Sequence, residues 1–149
     1  MSVNVRRMAC TPEQLFAVLA DPWVYPTWVV GASRLRAADS GYPNPGARLH
    51  HSIGVWPLVL NDETRVELWE PPSRVILEAK TRPFGTERVV IEAQRRGSGC
   101  IVRMEEEPAS GIVTRIPDAI TDAILHVRNA ETLRRLEWVA RGKALRPVP

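Results

Sequence analysis

Two glutamates and two histidines in strand-like stretches are the side chains of this sequence best suited to proton transfer. Every second residue from Cys100 onward is apolar until that side of the strand reaches Glu106, and Glu87 opens the same side of the preceding strand. A carboxyl group in an apolar pocket has a raised pKa and can act as a general acid. Histidine titrates near neutral pH, so His50 or His51 could form a proton-transfer pair with Glu106.

The same residues also allow structural interpretations. Glu87 and Glu106 lie near strand ends, where an inward charge is commonly solvated or paired with an arginine such as Arg7. His50 and His51 are adjacent on a strand and point to opposite faces, so the two rings cannot bind one metal ion together. The sequence contains no nucleophile elbow, phosphate loop or dinucleotide fingerprint. We therefore expect no metal site and no cofactor, and leave open whether the protein catalyses a reaction.

Alternation of apolar and polar residues predicts a run of strands. Turn-forming clusters rich in proline, glycine, asparagine and serine separate the stretches, and the short connections favour an antiparallel meander with one dry face. The predicted strands are Ser2–Ala9, Arg34–Ala38, Arg48–Ile53, Thr64–Trp69, Arg74–Thr81, Arg88–Gln94 and Cys100–Glu106.

Helical patterns occupy two places. Thr11 is a predicted N-cap, followed by Pro12 at the first helical position and Gln14 placed to close a capping box. A shorter helical turn carries Trp23, Tyr25 and Trp28. A long amphipathic helix is predicted over about 116–141, before a tail with Pro147 and Pro149. Its predicted sheet-facing stripe is Ile116, Ala119, Ile120, Ala123, Ile124, Val127, Ala130 and Leu133.

Bulk composition is that of an ordinary globular domain. The chain has 149 residues, a net charge of +3, 44% hydrophobic and 25% charged residues, which favour a single domain over 1–149. Basic residues are interspersed with acidic ones, which argues against a nucleic-acid partner. Cys10 and Cys100 are too few for a disulfide framework. The start of the chain has the pattern of a strand and not of a signal peptide, so we expect a cytoplasmic protein without stable membrane insertion.

Three segments carry a resemblance to a known superfamily. They are Pro12–Trp28, the strand entry Pro45–Leu49 and the stretch Val66–Glu78. Together with the order of the predicted strands and helices, these segments resemble the SRPBCC (START-like, polyketide cyclase/dehydrase) superfamily. The resemblance implies an α+β helix-grip fold, in which a curved antiparallel sheet of about seven strands wraps around a long C-terminal helix, with two short helices after the first strand.

The resemblance also implies a tunnel between sheet and helix. Its mouth would be ringed by the second helix and by the connections Gly54–Leu60 and Arg82–Gly85. Gly54–Leu60 contains no charged residue and has Trp56 at its centre, which is unusual for a connection exposed to water. Trp56 either forms an apolar lip of the cavity, folds back into the core, or makes a dimer contact.

The function that we expect is binding of a small hydrophobic or lipid-like molecule in this tunnel, by a monomer or homodimer. The alternatives are an enzyme similar to a polyketide cyclase or dehydratase, which would use His50 or His51 with Glu106, and a partner-binding module that uses the Trp56 loop. Because these functions share one fold, the fold does not choose between them. The expected ligand-binding residues are Trp28, His51, Trp56, Phe84, Glu87, Met104, Glu106, Ile120 and Ile124.

Overall fold

A computed structural model describes residues 1–145 and contains seven strands and three α-helices. The helices are α1 (Pro12–Leu19), α2 (Tyr25–Trp28) and α3 (Asp118–Leu145), and short 3-10 turns cover Pro22–Val24 and Ile112–Arg115. The strands are β1 (Ser2–Met8), β2 (Ala32–Ala38), β3 (Arg48–Val55), β4 (Leu58–Glu70), β5 (Arg74–Thr81), β6 (Gly85–Arg96) and β7 (Gly99–Ser110). The expected tail prolines, Pro147 and Pro149, lie outside the described residues.

All strands join one antiparallel sheet in the order β1-β7-β6-β5-β4-β3-β2. Strands β2 to β7 form the predicted meander, and β1 pairs with β7, so that β1 and β2 are the two edges. Both cysteines are buried and free. None of the helices within residues 1–145 is long and apolar enough to cross a membrane.

The start of α1 confirms the predicted capping box. The Thr11 hydroxyl accepts from the Gln14 backbone N–H at 3.2 Å, and the Gln14 side-chain oxygen accepts from the Thr11 N–H at 2.9 Å. These two bonds satisfy N–H groups that have no partner within the helix. Leu15 and Phe16 then face the core.

The predicted sheet-facing stripe of α3 was wrong. Ile124 is 64% exposed, whereas the next residue, Leu125, is only 4% exposed. Ile120 and Val127 are also exposed, and of the predicted stripe only Leu133 is fully buried. The residues that α3 buries are Thr121, Leu125, Asn129, Thr132, Leu133, Leu136, Glu137 and Ala140. The helix is thus rotated by about one residue from the orientation that hydrophobicity favours.

The two halves of α3 have different surroundings. Leu133, Leu136 and Ala140 join the main hydrophobic core, to which α1 also contributes. Further toward the N-terminus, the buried positions include the polar residues Thr121 and Asn129. The sheet and α3 therefore seal a core at one end and leave a partly polar space at the other.

The predicted loop Gly54–Leu60 is a tight hairpin instead, with β3 continuing to Val55 and β4 starting at Leu58. Gly54 has φ +100°, and a Cβ built there would lie 2.2 Å from the Leu58 carbonyl oxygen. Only glycine fits both constraints. At the tip, Trp56 is 85% exposed, so it does not fold back into the core.

Candidate functional site

A cavity of about 70 Å³ lies between α2, the inner face of the sheet and the N-terminal half of α3. Its wall is mainly apolar, with Met104, Leu77 and Val89 contributed by three neighbouring strands. The polar side chains of the wall come from every layer of the fold: Tyr25, Trp28, His51, Thr64, Lys80, Thr81, Glu87, Glu106, Arg128, Asn129 and Thr132.

Two glutamates and one arginine form a charged cluster on this wall. Glu87 on β6 and Glu106 on β7 both point to Arg128 of α3. The Arg128 Nη2 atom lies 3.4 Å from Glu87 Oε2 and donates a closer hydrogen bond to Glu106 Oε1. The side chain of Glu106 is fully buried and that of Glu87 nearly so. One arginine therefore faces two buried carboxyl groups.

Burial and mutual repulsion separate the pKa values of the two carboxyl groups. Burial, together with the hydrogen bond and the negative charge of Glu106, raises the pKa of Glu87 to about 8. Burial acts to raise the pKa of Glu106 as well, but the hydrogen bond from Glu87 and the charge of Arg128 outweigh it, and the pKa of Glu106 is lowered. At neutral pH Glu87 holds the proton and Glu106 is ionised. The expectation that Glu106 has a raised pKa is therefore wrong. The carboxyl group with the raised pKa is that of Glu87.

A second polar group joins α2 to two strands. The Thr64 hydroxyl lies 3.0 Å from both the Tyr25 hydroxyl and His51 Nε2. The Tyr25 and His51 rings are stacked, with centroids 5.1 Å apart, and Trp28 packs edge-on to Tyr25. Burial lowers the pKa of His51, which keeps this imidazole neutral at neutral pH.

Several buried polar atoms of the wall have no hydrogen-bond partner among the described residues. They are Trp28 Nε1, His51 Nδ1 and the amide oxygen of Asn129. Each of these residues is at most 4% exposed. Buried polar groups in folded proteins are nearly always paired, so three unpaired side chains around one cavity point to a bound polar partner.

The structure brings five of the expected ligand-binding residues to the cavity wall: Trp28, His51, Glu87, Met104 and Glu106. It does not bring the other four there. Ile120 and Ile124 face outward because the rotation of α3 presents the residues next to them, Thr121 and Leu125, to the interior.

Trp56 and Phe84, the two expected rim residues outside the wall, lie at exposed hairpin tips. Trp56 lies in a separate surface depression beside Ala32 and Val59, and Phe84 is 56% exposed. The role of Trp56 as a lip or contact residue stays a prediction. His50 points to the outer face, where its Nε2 lies 3.1 Å from Asp39 Oδ1.

Sequence reasoning missed Thr64, Arg128 and Asn129, and it placed Tyr25 at the rim when it is buried within the wall. Arg128 was expected to lie outside the apolar stripe of α3, and it does. The signal that could have identified it as a wall residue was the pair of glutamates on the dry side of two adjacent strands, since a buried carboxylate requires a cation. The expected partner, Arg7, was the wrong arginine.

Sequence comparisons give only distant relatives. No family model matches the chain. Uncharacterized proteins of Mycobacterium tuberculosis (Rv2574) and Mycobacterium bovis (Mb2604) are each 32% identical over 101 residues. The match covers 65% of this chain and spans 58% of the length of these relatives.

Solved structures give a much fuller match. The protein NE0264 from Nitrosomonas europaea has a TM-score of 0.75 at 17% identity, and the alignment covers 97% of this chain and 96% of the NE0264 chain. Ara h 8.0201 has a TM-score of 0.73 at 8% identity, covering 94% and 96%. The di-domain ARO/CYC BexL from the BE-7585A biosynthetic pathway has a TM-score of 0.68 at 12% identity, covering 93% of this chain and 48% of its own.

Together, the sheet order, the long C-terminal helix and these neighbours define the fold. The chain has a helix-grip fold, as the sequence predicted. At these identities the likeness shows the fold alone, and function has to be argued from the cavity.

Proposed function

We propose that this protein binds a small, largely apolar molecule in the cavity between the sheet and α3. The observation that carries the proposal is the unpaired polar set on the wall, formed by Trp28, His51 and Asn129. Leaving a buried donor or acceptor unpaired costs about 1 to 3 kcal/mol. A ligand with one polar group and an apolar body would satisfy these atoms and fill the apolar part of the wall.

The cavity also limits the size of the ligand. Its volume of about 70 Å³ is about half that of an apolar cavity that holds benzene, roughly 150 Å³, so a ligand of one ring enters only if the wall moves. Helix α2 is the element best suited to move, since it is only four residues long and has no side-chain cap. It carries Tyr25 and Trp28, so an opening motion would move two wall residues together.

Titration with benzamide, followed through the indole N–H signal of Trp28 by NMR, tests the proposal. Replacing Ala79, a wall residue, with leucine fills the cavity, and Ala37→Leu makes the same change at an exposed position outside the wall. We expect saturable shifts for the wild type and for Ala37→Leu, and none for Ala79→Leu. No shift in the wild type, or equal binding by both variants, would contradict binding in this cavity.

Proton-transfer catalysis is a second candidate, because one specific observation favours it. A neutral His51 and a protonated Glu87 share the wall, which provides a base and an acid at neutral pH. The neighbour BexL is an ARO/CYC protein of a biosynthetic pathway, on the same fold. Native mass spectrometry of the purified protein would recover a bound molecule. A change in its mass on incubation with wild type, but not with His51→Gln, would favour the enzyme.

A further inference from the structure

The charges at the cavity are balanced before any ligand enters. Ionised Glu106 is paired with Arg128, and Glu87 is uncharged at neutral pH. The other basic residue of the wall is Lys80, but its ammonium group bonds to Glu63 on the outer face. His51 and Tyr25, the remaining titratable groups of the wall, are neutral. No cation of the wall is therefore free to neutralise an acidic ligand.

The unpaired atoms require both kinds of hydrogen-bonding group from the ligand. The Asn129 amide oxygen can only accept a hydrogen bond, and the Trp28 indole N–H can only donate one. Asn129 lies on α3 one residue after Arg128, and its side chain is hydrogen-bonded to ionised Glu106. A matching ligand group must donate a proton and also offer a lone pair, as a hydroxyl or a carboxamide does.

We propose that the cavity selects uncharged ligands bearing a hydroxyl or carboxamide group, which donates to the Asn129 amide oxygen and accepts from the Trp28 indole N–H, and that it rejects carboxylates of the same shape. The proposal rests on the proposed binding function and names its ligand class. A carboxylate has no proton for the Asn129 oxygen. It would also place a second negative charge beside Glu106, in a buried space where Arg128 is already shared between two carboxyl groups.

Benzamide and benzoate make a matched pair for the test, because they have nearly the same shape and differ in charge and in donor capacity. Both are titrated into the wild-type protein at neutral pH and followed through the Trp28 indole N–H signal, which Trp28→Phe identifies by its loss. Since like charges in close contact disfavour binding strongly, we expect benzoate to bind at least about tenfold more weakly than benzamide. Equal affinity for the two probes would overturn the proposal.

A double substitution tests the charge explanation. In Glu87→Gln/Glu106→Gln, Arg128 is left as an unpaired cation, so the preference should reverse and benzoate should bind more tightly than benzamide. The matched control is Glu67→Gln, which makes the same change of net charge because Glu87 is uncharged in the wild type, and which does so at a partly exposed residue paired with Arg88. The control should still prefer benzamide.

The outcomes separate the two proposals. Benzamide binding without discrimination against benzoate overturns the ligand class and leaves cavity binding intact. No binding of either probe contradicts the binding function itself. A folded double variant that still prefers benzamide would also overturn the charge explanation. If circular dichroism shows that the double variant does not fold, the wild-type comparison decides.

Discussion

Substitution of two adjacent residues of α3 tests which side of the helix packs on the sheet. Leu125 is 4% exposed and Ile124 is 64% exposed. Leu125→Ala removes a buried side chain and leaves a cavity, which costs about 2 to 5 kcal/mol of unfolding free energy. Ile124→Ala removes an exposed one and should change the unfolding free energy by about 0.5 kcal/mol or less. The higher helix propensity of alanine offsets part of even that loss.

Urea denaturation followed by circular dichroism measures both values. Leu136→Ala is the positive control, because Leu136 belongs to the same helix and is fully buried. For a domain of this size, one kcal/mol shifts the melting temperature by about 2 to 4 °C. Leu125→Ala should therefore lower the melting temperature by roughly 4 to 20 °C, and Ile124→Ala should hardly change it. An equal or larger loss for Ile124→Ala would refute the helix orientation on which the cavity wall depends.

Two other features of the fold and the site give measurable expectations. Gly54→Ala should destabilise the protein by more than about 1 kcal/mol in urea, because of the positive φ and the close carbonyl. Gly41→Ala, which meets open space, should be nearly neutral; equal effects would contradict the hairpin geometry. Because the pKa of Glu87 is raised to about 8 in the folded state, its contribution to stability is present at low pH and is lost as the pH rises from about 4.3 to about 8. The melting temperature of Glu87→Gln should fall less over this window than that of the wild type, and parallel curves would contradict the shift.

The sheet could be predicted from the sequence because each of its strands follows a local rule. Alternation places one side of every strand in the dry interior, and proline and glycine clusters mark the turns between them. The capping box at Thr11 needs only the residues up to Gln14, and it is present as expected. Such features depend on near neighbours in the chain, so a single sequence contains enough information.

The orientation of α3 could not be predicted in this way. The outward face of its first half carries Ile120, Ile124 and Val127, so hydrophobicity favours burial of the wrong face. What fixes the helix is contact with groups far away in the sequence. Arg128 pairs with Glu106 on β7, and the Asn4 side chain donates to the His126 carbonyl oxygen at 2.9 Å. These long-range polar contacts leave no periodic signal.

The polar inner face of α3 argues for a binding role more strongly than the fold does. A helix selected for stability alone would bury apolar residues along its whole length, as this one does at Leu133 and Leu136. At Asn129 it instead buries an amide whose oxygen is unpaired, one turn before the core begins. Departures from local consistency of this kind concentrate at functional sites, where a stability cost is retained for another purpose. The position of Asn129, beside the Glu106–Arg128 pair and on the cavity wall, is the reason for assigning this cost to the proposed binding of a ligand.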